Sequence, residues 1–456
     1  MSRVVIVGAG FGGLGCAHTL ANAVAKDAAR SVVLVDAKDW FTIGGTWAYA
    51  WCGRVETSQT TWPLKDAAPR LPGVDLRLNT TVLSVDIEKR TVTLSDAPGS
   101  PVPYDALVLS PGIVGDASGI PGLGECVDMY AHDHLERQRR DIQRIAEEAR
   151  RVVAEEKKAR ASDADDADDA DDADDADDAS PLAIPAEKRR TLAVTVAAVP
   201  YKCPVAPFEA AFVADAFFRD AGVREAVRIV VTAPVSWPLP DPARAIFEAY
   251  LAEKDVEFVP SVEIREVTRD SEASNFDVVF HDGSVLKNAS AVWAVYPQTA
   301  PRFVKDAGLA NAAGFVPADI GTNRVATDAA RKAPGSVFCV GDCAALEACG
   351  NKPHPKAGEF AWQMGEMVAH AIAKTPGYAH SRLGACIAEC GGGAGVLVAP
   401  DFTECVRDPA NGAPKTQVAD KREDGEAYKV AWVAKYVTRL FGDEARAFAP
   451  SPMSAA

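Results

Sequence analysis

RVVIVGAGFGGLGCAHTLANAV, residues 3–24, decides the fold. It reads as a strand over residues 4–7, a glycine turn and a helix. Gly8, Gly10 and Gly13 have GxGxxG spacing, and a strand before and a helix after turn a weak pattern into a strong dinucleotide fingerprint. Gly8 permits the tight turn, Gly10 lets backbone approach a pyrophosphate, and Gly13 lets helix and strand pack closely. The helix start offers unpaired N–H groups and a partial positive charge to the phosphates. SVVLVD is the next strand, and Asp36 at its end is spaced to accept a hydrogen bond from a ribose hydroxyl.

Working outward, RLNTTVLSVDIEKRTVTLSD, which contains Val82, alternates as paired antiparallel strands do. YDALVLSPG is a buried strand ending in a Pro-Gly turn. Residues 135–161 read as a charged helix. The run 163–178 that follows holds eleven Asp and no basic residue. It has nothing to bury and is expected to be a disordered surface insertion. Order resumes with the strand TLAVTVAAVP, a helix over 208–220 and the strand VRIVVTAP. A helix over 242–254, strands near VEFVP and ASAVWAVYP, the strand SVFCVGD and a helix over 358–373 come next. A last helix, 427–441, places Val430, Val433, Ala434, Val437 and Phe441 on one side. The fold class is α/β: two Rossmann-like, three-layer ββα domains of the dinucleotide-binding type plus a C-terminal α+β region. The expected divisions are 1–140 and 291–378 for the two parts of the first domain, 141–188 for the insertion, 189–290 for the second domain and 379–456 for the C-terminal one.

The 456 residues suffice for two or three domains, and 48% hydrophobic content suffices for a sizeable core. A net charge of -16 argues against nucleic acid as a partner. Setting aside the eleven Asp of the repeat leaves -5, so the folded body is only mildly acidic. No apolar run reaches the roughly 18 residues of a spanning helix, and a strand beginning almost at Met1 leaves no secretory signal. The expected location is intracellular, either cytoplasmic or peripheral on the inner membrane face. Ten cysteines in no small-scaffold spacing read as core residues, metal ligands or redox groups. Neither Cys339/Cys343 nor Cys386/Cys390 is CxxC, and no histidine cluster accompanies them, so no metal is expected.

Two later stretches carry a family resemblance. Residues 104–112, YDALVLSPG, resemble a turn of two-dinucleotide flavoproteins, and residues 337–344, VFCVGDCA, resemble their second FAD signature. The resemblance implies FAD as cofactor, with Asp342 on the ribityl chain. Val82, Ser110, Gly112, Gly341 and Lys356 join Gly8, Gly10, Gly13 and Asp36 in the cofactor-binding set. Such proteins usually carry a second GxGxxG for nicotinamide. Here TLAVTVAAVP is followed by YKCPVAPFEAAFVADAFF, which has no glycine, and Pro204 and Pro207 oppose a glycine-type turn.

At that place PYKCPVAPFEAAF resembles the segment with a redox cysteine in sulfide:quinone oxidoreductases and in the flavoprotein of flavocytochrome c sulfide dehydrogenase. The match falls on Cys203. KPHPKAGEFAWQMGEMVAHAI resembles their PKAG-x-FA helix, and GACIAECGGGAGVLVAPDF resembles the stretch with their second redox cysteine, which falls on Cys386. The closing RLFG is similar to the quinone-reducing members. The resemblance implies oxidation of sulfide or related sulfur species through Cys203 and Cys386, with electrons passing via FAD to a quinone. Glu209 would accept a proton, His132 or His134 would relay protons, and Lys356 would place positive charge near the flavin. A third cysteine found in many members is replaced by Tyr130, with Cys126 four residues earlier, and Cys390 competes with Cys386 for the second role. Cys16, Cys339 and Cys343 read as core. The last helix suggests membrane contact, and homo-oligomerisation stays open. Three other readings also stay open: a flavocytochrome-type sulfide dehydrogenase flavoprotein, a type II NADH:quinone oxidoreductase, and a non-catalytic FAD-binding interaction protein.

Overall fold

In a computed structural model of the chain, residues 2–24, 30–165, 182–269, 275–332, 336–350 and 352–453 are described. In chain order, the first part supplies β1 (Ser2–Val7), α1 (Phe11–Val24), β2 (Arg30–Val35), β3 (Val74–Arg77) and β4 (Ala106–Leu109). Then come α2 (Leu135–Asp165), β5 (Arg190–Val196), α3 (Ala206–Asp220), β6 (Val227–Thr232), β7 (Val256–Val259) and β8 (Val285–Val295). The remainder supplies β9 (Ser336–Cys339), α4 (Gly358–Ala373), β10 (Cys386–Gly391), β11 (Ala394–Asp401), β12 (Lys415–Lys421) and α5 (Gly425–Phe441).

The first sheet runs β9-β4-β1-β2-β3, parallel throughout. Its central strands are apolar on both faces, as a sheet covered on both sides requires: all four residues of β4 are buried. The second sheet has β7-β6-β5-β8 in parallel and continues into two antiparallel strands, Phe276–Phe280 and Ile264–Arg269. A three-stranded antiparallel sheet, β10-β11-β12, carries α5. The structure thus has the expected mixed α/β architecture with Rossmann-like parallel sheets.

Glycines set how closely the helices approach. A Cβ on Gly13 would lie 1.8 Å from Gly8 O, and one on Gly365 of α4 would lie 2.1 Å from Gly12 O on α1. The two helices therefore cross backbone to backbone, with their N-termini at the C-terminal edge of the first sheet, where open α/β folds bind ligands.

Helix α2 runs four residues past the expected end. Ile142, Ile145, Ala146, Ala149, Val152 and Val153 are buried at helical spacing, and the helix packs on β5 and β8. The segment expected to be an insertion therefore begins as a packed element. The acidic run from 166 to 178 lies outside the described residues. In α5 the buried face is Gly425, Lys429, Val433, Tyr436, Val437 and Leu440. This corrects the expected stripe: Val433 and Val437 are buried, Val430 and Phe441 half-buried, and Ala434 exposed. The buried part of the stripe packs within the chain. Among the described residues, no helix is long and apolar enough to cross a membrane.

Candidate functional site

The glycine turn fits a dinucleotide. Gly8 has φ +96°, and a Cβ there would lie 2.1 Å from Ser110 O, so the turn and the end of β4 require a glycine. A Cβ on Gly10 would meet nothing within 4 Å, which leaves that backbone open to an approaching phosphate. The Asp36 carboxylate closes the turn, accepting the Ala9 N–H at 2.6 Å and the Lys38 N–H at 2.8 Å. Thr80 donates its N–H to Asp36 O, which brings the start of the Val82–Asp86 strand to the same end. Gly112 and Gly341 have φ +70° and +75° at the ends of β4 and β9. Asp342 follows in a short 3-10 turn beside the start of α4.

Cys203 lies between β5 and α3, where a second nucleotide loop would start. Its φ is +50°, a left-handed backbone that a non-glycine residue adopts at a cost of about 1 kcal/mol or more. Specific bonds hold it there. Its N–H donates to Lys356 O, and its carbonyl accepts from the Ala206 N–H and the Tyr130 hydroxyl, each at 3.0 Å. The Lys356 ammonium donates to the carbonyls of Asp342 and Ala344, both at 2.8 Å. Lys356 thus ties the Asp342 turn to the Cys203 loop, and burial pulls its pKa down. Two of its three ammonium hydrogens are directed at backbone.

Cys386 opens β10, and it acts on the Cys203 thiol. Burial pushes the Cys203 thiol far up, and Cys386 is the next contributor, followed by Glu209. Burial, then Glu209 and Glu359, push Cys386 up to about 11, against the pull of Lys429. Lys429 projects from α5, is 3% exposed, pairs with Glu209 and lies 3.9 Å from Glu389. Arg54 continues the chain, 3.4 Å from Glu389 and bidentate to Glu426 at 2.9 and 2.5 Å. The Tyr49 ring lies 5.4 Å from the Lys429 ammonium and 5.0 Å from the Arg54 guanidinium.

Three carboxyls and two cations share this interior. Burial drives Glu389 up to about 7, and burial raises Glu209 against the pull of Lys429. Burial works against the Lys429 ammonium, but Glu209 and Glu389 outweigh it and keep its pKa above the ordinary lysine value. Retaining one proton on Glu209 or Glu389 near neutral pH balances the group.

The structure brings Cys203, Cys386, Glu209 and Lys356 together. The Nδ1 of His134 accepts the Asp128 N–H at 2.9 Å. His132 packs against Trp40 and Trp47, with ring centroids at 4.7 and 5.7 Å, and its Nε2 meets the Thr60 hydroxyl at 2.9 Å. Cys390 faces Lys254, Glu209 and Asp420, and Cys126 lies in a separate core cluster with Tyr296. Cys16, Cys339 and Cys343 are buried as expected. Cys349 and Cys405 form a disulfide that the sequence did not single out. Lys429, Glu389 and Arg54 were also missed. Lys429 had a readable signal: it occupies a core position of the α5 stripe, four residues from both Gly425 and Val433.

The sheets, the glycine turn and the Asp342 turn define a class: this is the fold of FAD-dependent oxidoreductases of the pyridine nucleotide-disulphide oxidoreductase superfamily, and its cofactor is FAD. Residues 2–161 match the family model described as pyridine nucleotide-disulphide oxidoreductase. Among solved structures, the chain is similar to the sulfide:quinone oxidoreductase of the hyperthermophilic bacterium Aquifex aeolicus, with TM-score 0.71 and 18% identity over 97% of this chain and 92% of that one. It is also similar to an NAD-dependent persulfide reductase from A. fulgidus, with TM-score 0.58 and 17% identity over 88% of this chain and 64% of that one. Putidaredoxin reductase, in its covalent complex with putidaredoxin, matches with TM-score 0.59 and 16% identity over 87% and 81% of the two chains. At these identities the likeness is one of fold.

Proposed function

We propose that this protein oxidises sulfide, or a related sulfur species, through Cys203 and Cys386 and passes the electrons via FAD to a quinone. The observation that carries the proposal is the position of Cys203, on a strained left-handed loop where a nicotinamide-binding turn would be, with Cys386 among the groups that act on its thiol. The Gly8–Gly13 turn and Asp36 would hold the adenosine diphosphate half of FAD. Asp342 and the start of α4 would hold the ribityl and flavin half. When bound, FAD would supply a two-electron acceptor.

The protein's part is thiol–disulfide exchange. Hydrosulfide attacks one sulfur of an oxidised Cys203–Cys386 pair; the S–S bond breaks, one cysteine becomes a persulfide and the other leaves as a thiolate. Lys429 favours that thiolate, because its charge lowers the pKa of both cysteines. Thiolate and persulfide then close as an S–S–S bridge that keeps the sulfide-derived sulfur, releasing two electrons and one proton, and Glu209 or Glu389 takes the proton. Those two electrons, with two protons, would end on the quinone by way of the flavin. Tyr130, at the place of the third cysteine, holds the Cys203 loop and takes no part in exchange.

The test is anaerobic mixing with sulfide while the flavin absorbance is followed, with NADH as a parallel arm. Wild type is expected to bleach with sulfide and not with NADH. Cys203→Ser and Cys386→Ser are expected to slow bleaching by at least 100-fold while retaining FAD. Bleaching of both variants at the wild-type rate overturns the proposal.

A further inference from the structure

Three arginines are buried among the described residues, and two of them have carboxylates. Arg54 meets Glu426 and Glu389, and Arg224 lies 2.6 Å from Asp215. Arg382 has none. It is 0% exposed, and no Asp or Glu among the described residues pairs with it. Its Nη2 donates to Asn323 Oδ1 at 3.2 Å and points at the Met367 sulfur at 3.8 Å, whereas Nε and Nη1 have no partner.

Two histidines near Arg382 repeat the pattern. His354 is 6% exposed; its Nδ1–H donates to Pro355 O, which leaves Nε2 a lone-pair acceptor with no partner among the described residues. Its ring packs on Phe360 and Phe402, with centroids at 4.6 and 4.8 Å, while Phe402 donates its N–H to Arg382 O. His380, two residues before Arg382, has an unpartnered Nδ1. Burial first, and then the Arg382 charge, lowers the pKa of both histidines. A buried guanidinium with unpaired nitrogens and no counter-charge is a strongly unfavourable arrangement that an anion relieves.

We propose that Arg382, with the Nδ1–H of His380, forms a binding site for one small inorganic anion, an oxyanion or a halide, separate from the cysteine pair. The site lies where α4 and the short strands Ala344–Ala348 and Lys352–Pro353 meet the segment that leads into β10. The Cys349–Cys405 disulfide clips the same junction, and the Arg382 N–H donates to the Thr403 hydroxyl at 2.9 Å. An anion there joins these segments by charge where the disulfide joins them covalently.

Crystals of the holoprotein soaked separately in bromide and in selenate decide the matter by anomalous scattering. A peak within hydrogen-bond distance of the Arg382 guanidinium supports the site, and the soak that gives it tells halide from oxyanion. Water alone at Arg382 in both soaks overturns it. In solution, chloride, sulfate or phosphate at matched ionic strength is expected to raise the wild-type Tm saturably. Arg382→Met is expected to abolish that rise, and an undiminished rise in the variant overturns the assignment. Should Arg382→Met fail to fold, the soaks on wild type still decide.

Discussion

Cys203 and Lys429 illustrate what a single residue contributes here. The left-handed backbone at Cys203 persists because Lys356, Ala206 and Tyr130 hold it from three sides. The strain is local to that loop. Lys429 then sets thiol reactivity. It is the only cation among the main influences on Cys386, and with Lys202 it is one of two acting on Cys203. An opposite charge within about 4–6 Å shifts a pKa by roughly 1–3 units. Lys429→Met is therefore expected to move the alkylation pH profile of the thiols upward and to slow iodoacetamide labelling near pH 8 about tenfold. Lys429→Arg, which keeps the charge, is expected to restore most of the rate. Unchanged labelling in the Met variant would show that Lys429 only fills space.

Among the elements, the α1–α4 crossing has the least tolerance. Adding a methyl group at Gly365 brings a Cβ within 2.1 Å of Gly12 O and 2.7 Å of Cys16 N, both backbone atoms. The helices must separate, so Gly365→Ala is expected to cost about 1–3 kcal/mol and to release FAD as the α1 N-terminus moves. Thermal unfolding and the flavin content after gel filtration measure the two effects. These elements also show what the sequence made legible. The glycine turn, the second sheet and the Cys203 loop follow from short-range patterns, glycines at fixed offsets and runs of buried β-branched residues, which one pass along the chain can read. The partners of the thiols do not. Glu389 is a charge inside an apolar strand, Lys429 is a charge on an apolar stripe, and Arg54 is more than 300 residues away from both, so only the fold brings them together. The Cys349–Cys405 bond was illegible for the same reason, since nothing in the spacing of ten cysteines selects that pair. Closing its 56-residue separation contributes up to about 4 kcal/mol by chain entropy. Cys405→Ser, or reductant, is expected to lower the Tm by several degrees. No change in Tm on reduction would remove the bond from the stability account.

At the scale of the whole molecule, the buried charge group is where separate parts of the chain meet. Tyr49 and Arg54 come from the segment between β2 and β3, Glu209 from α3, Glu389 from β10, and Glu426 and Lys429 from α5. Its protonation is therefore coupled to holding those parts together. Burial pushes Glu389 up to about 7 in the folded protein, against 4.5 for an ordinary glutamate, and raises Glu209 as well. Between those values the folded state binds more protons than the unfolded chain, so stability falls as pH rises. The contribution is fully present below about pH 4.5 and is lost as pH climbs through about 7. Its ceiling for Glu389 is about 3 kcal/mol, from 1.36 kcal/mol per unit. Glu389→Gln keeps a neutral, isosteric group in place and removes that dependence. The variant is expected to match wild type in Tm near pH 5 and to exceed it by several degrees at pH 8. Parallel Tm curves from pH 5 to 8 would mean that the carboxyl carries the same charge across that range, and the shared proton that balances two cations against three acids would have to be assigned elsewhere in the group.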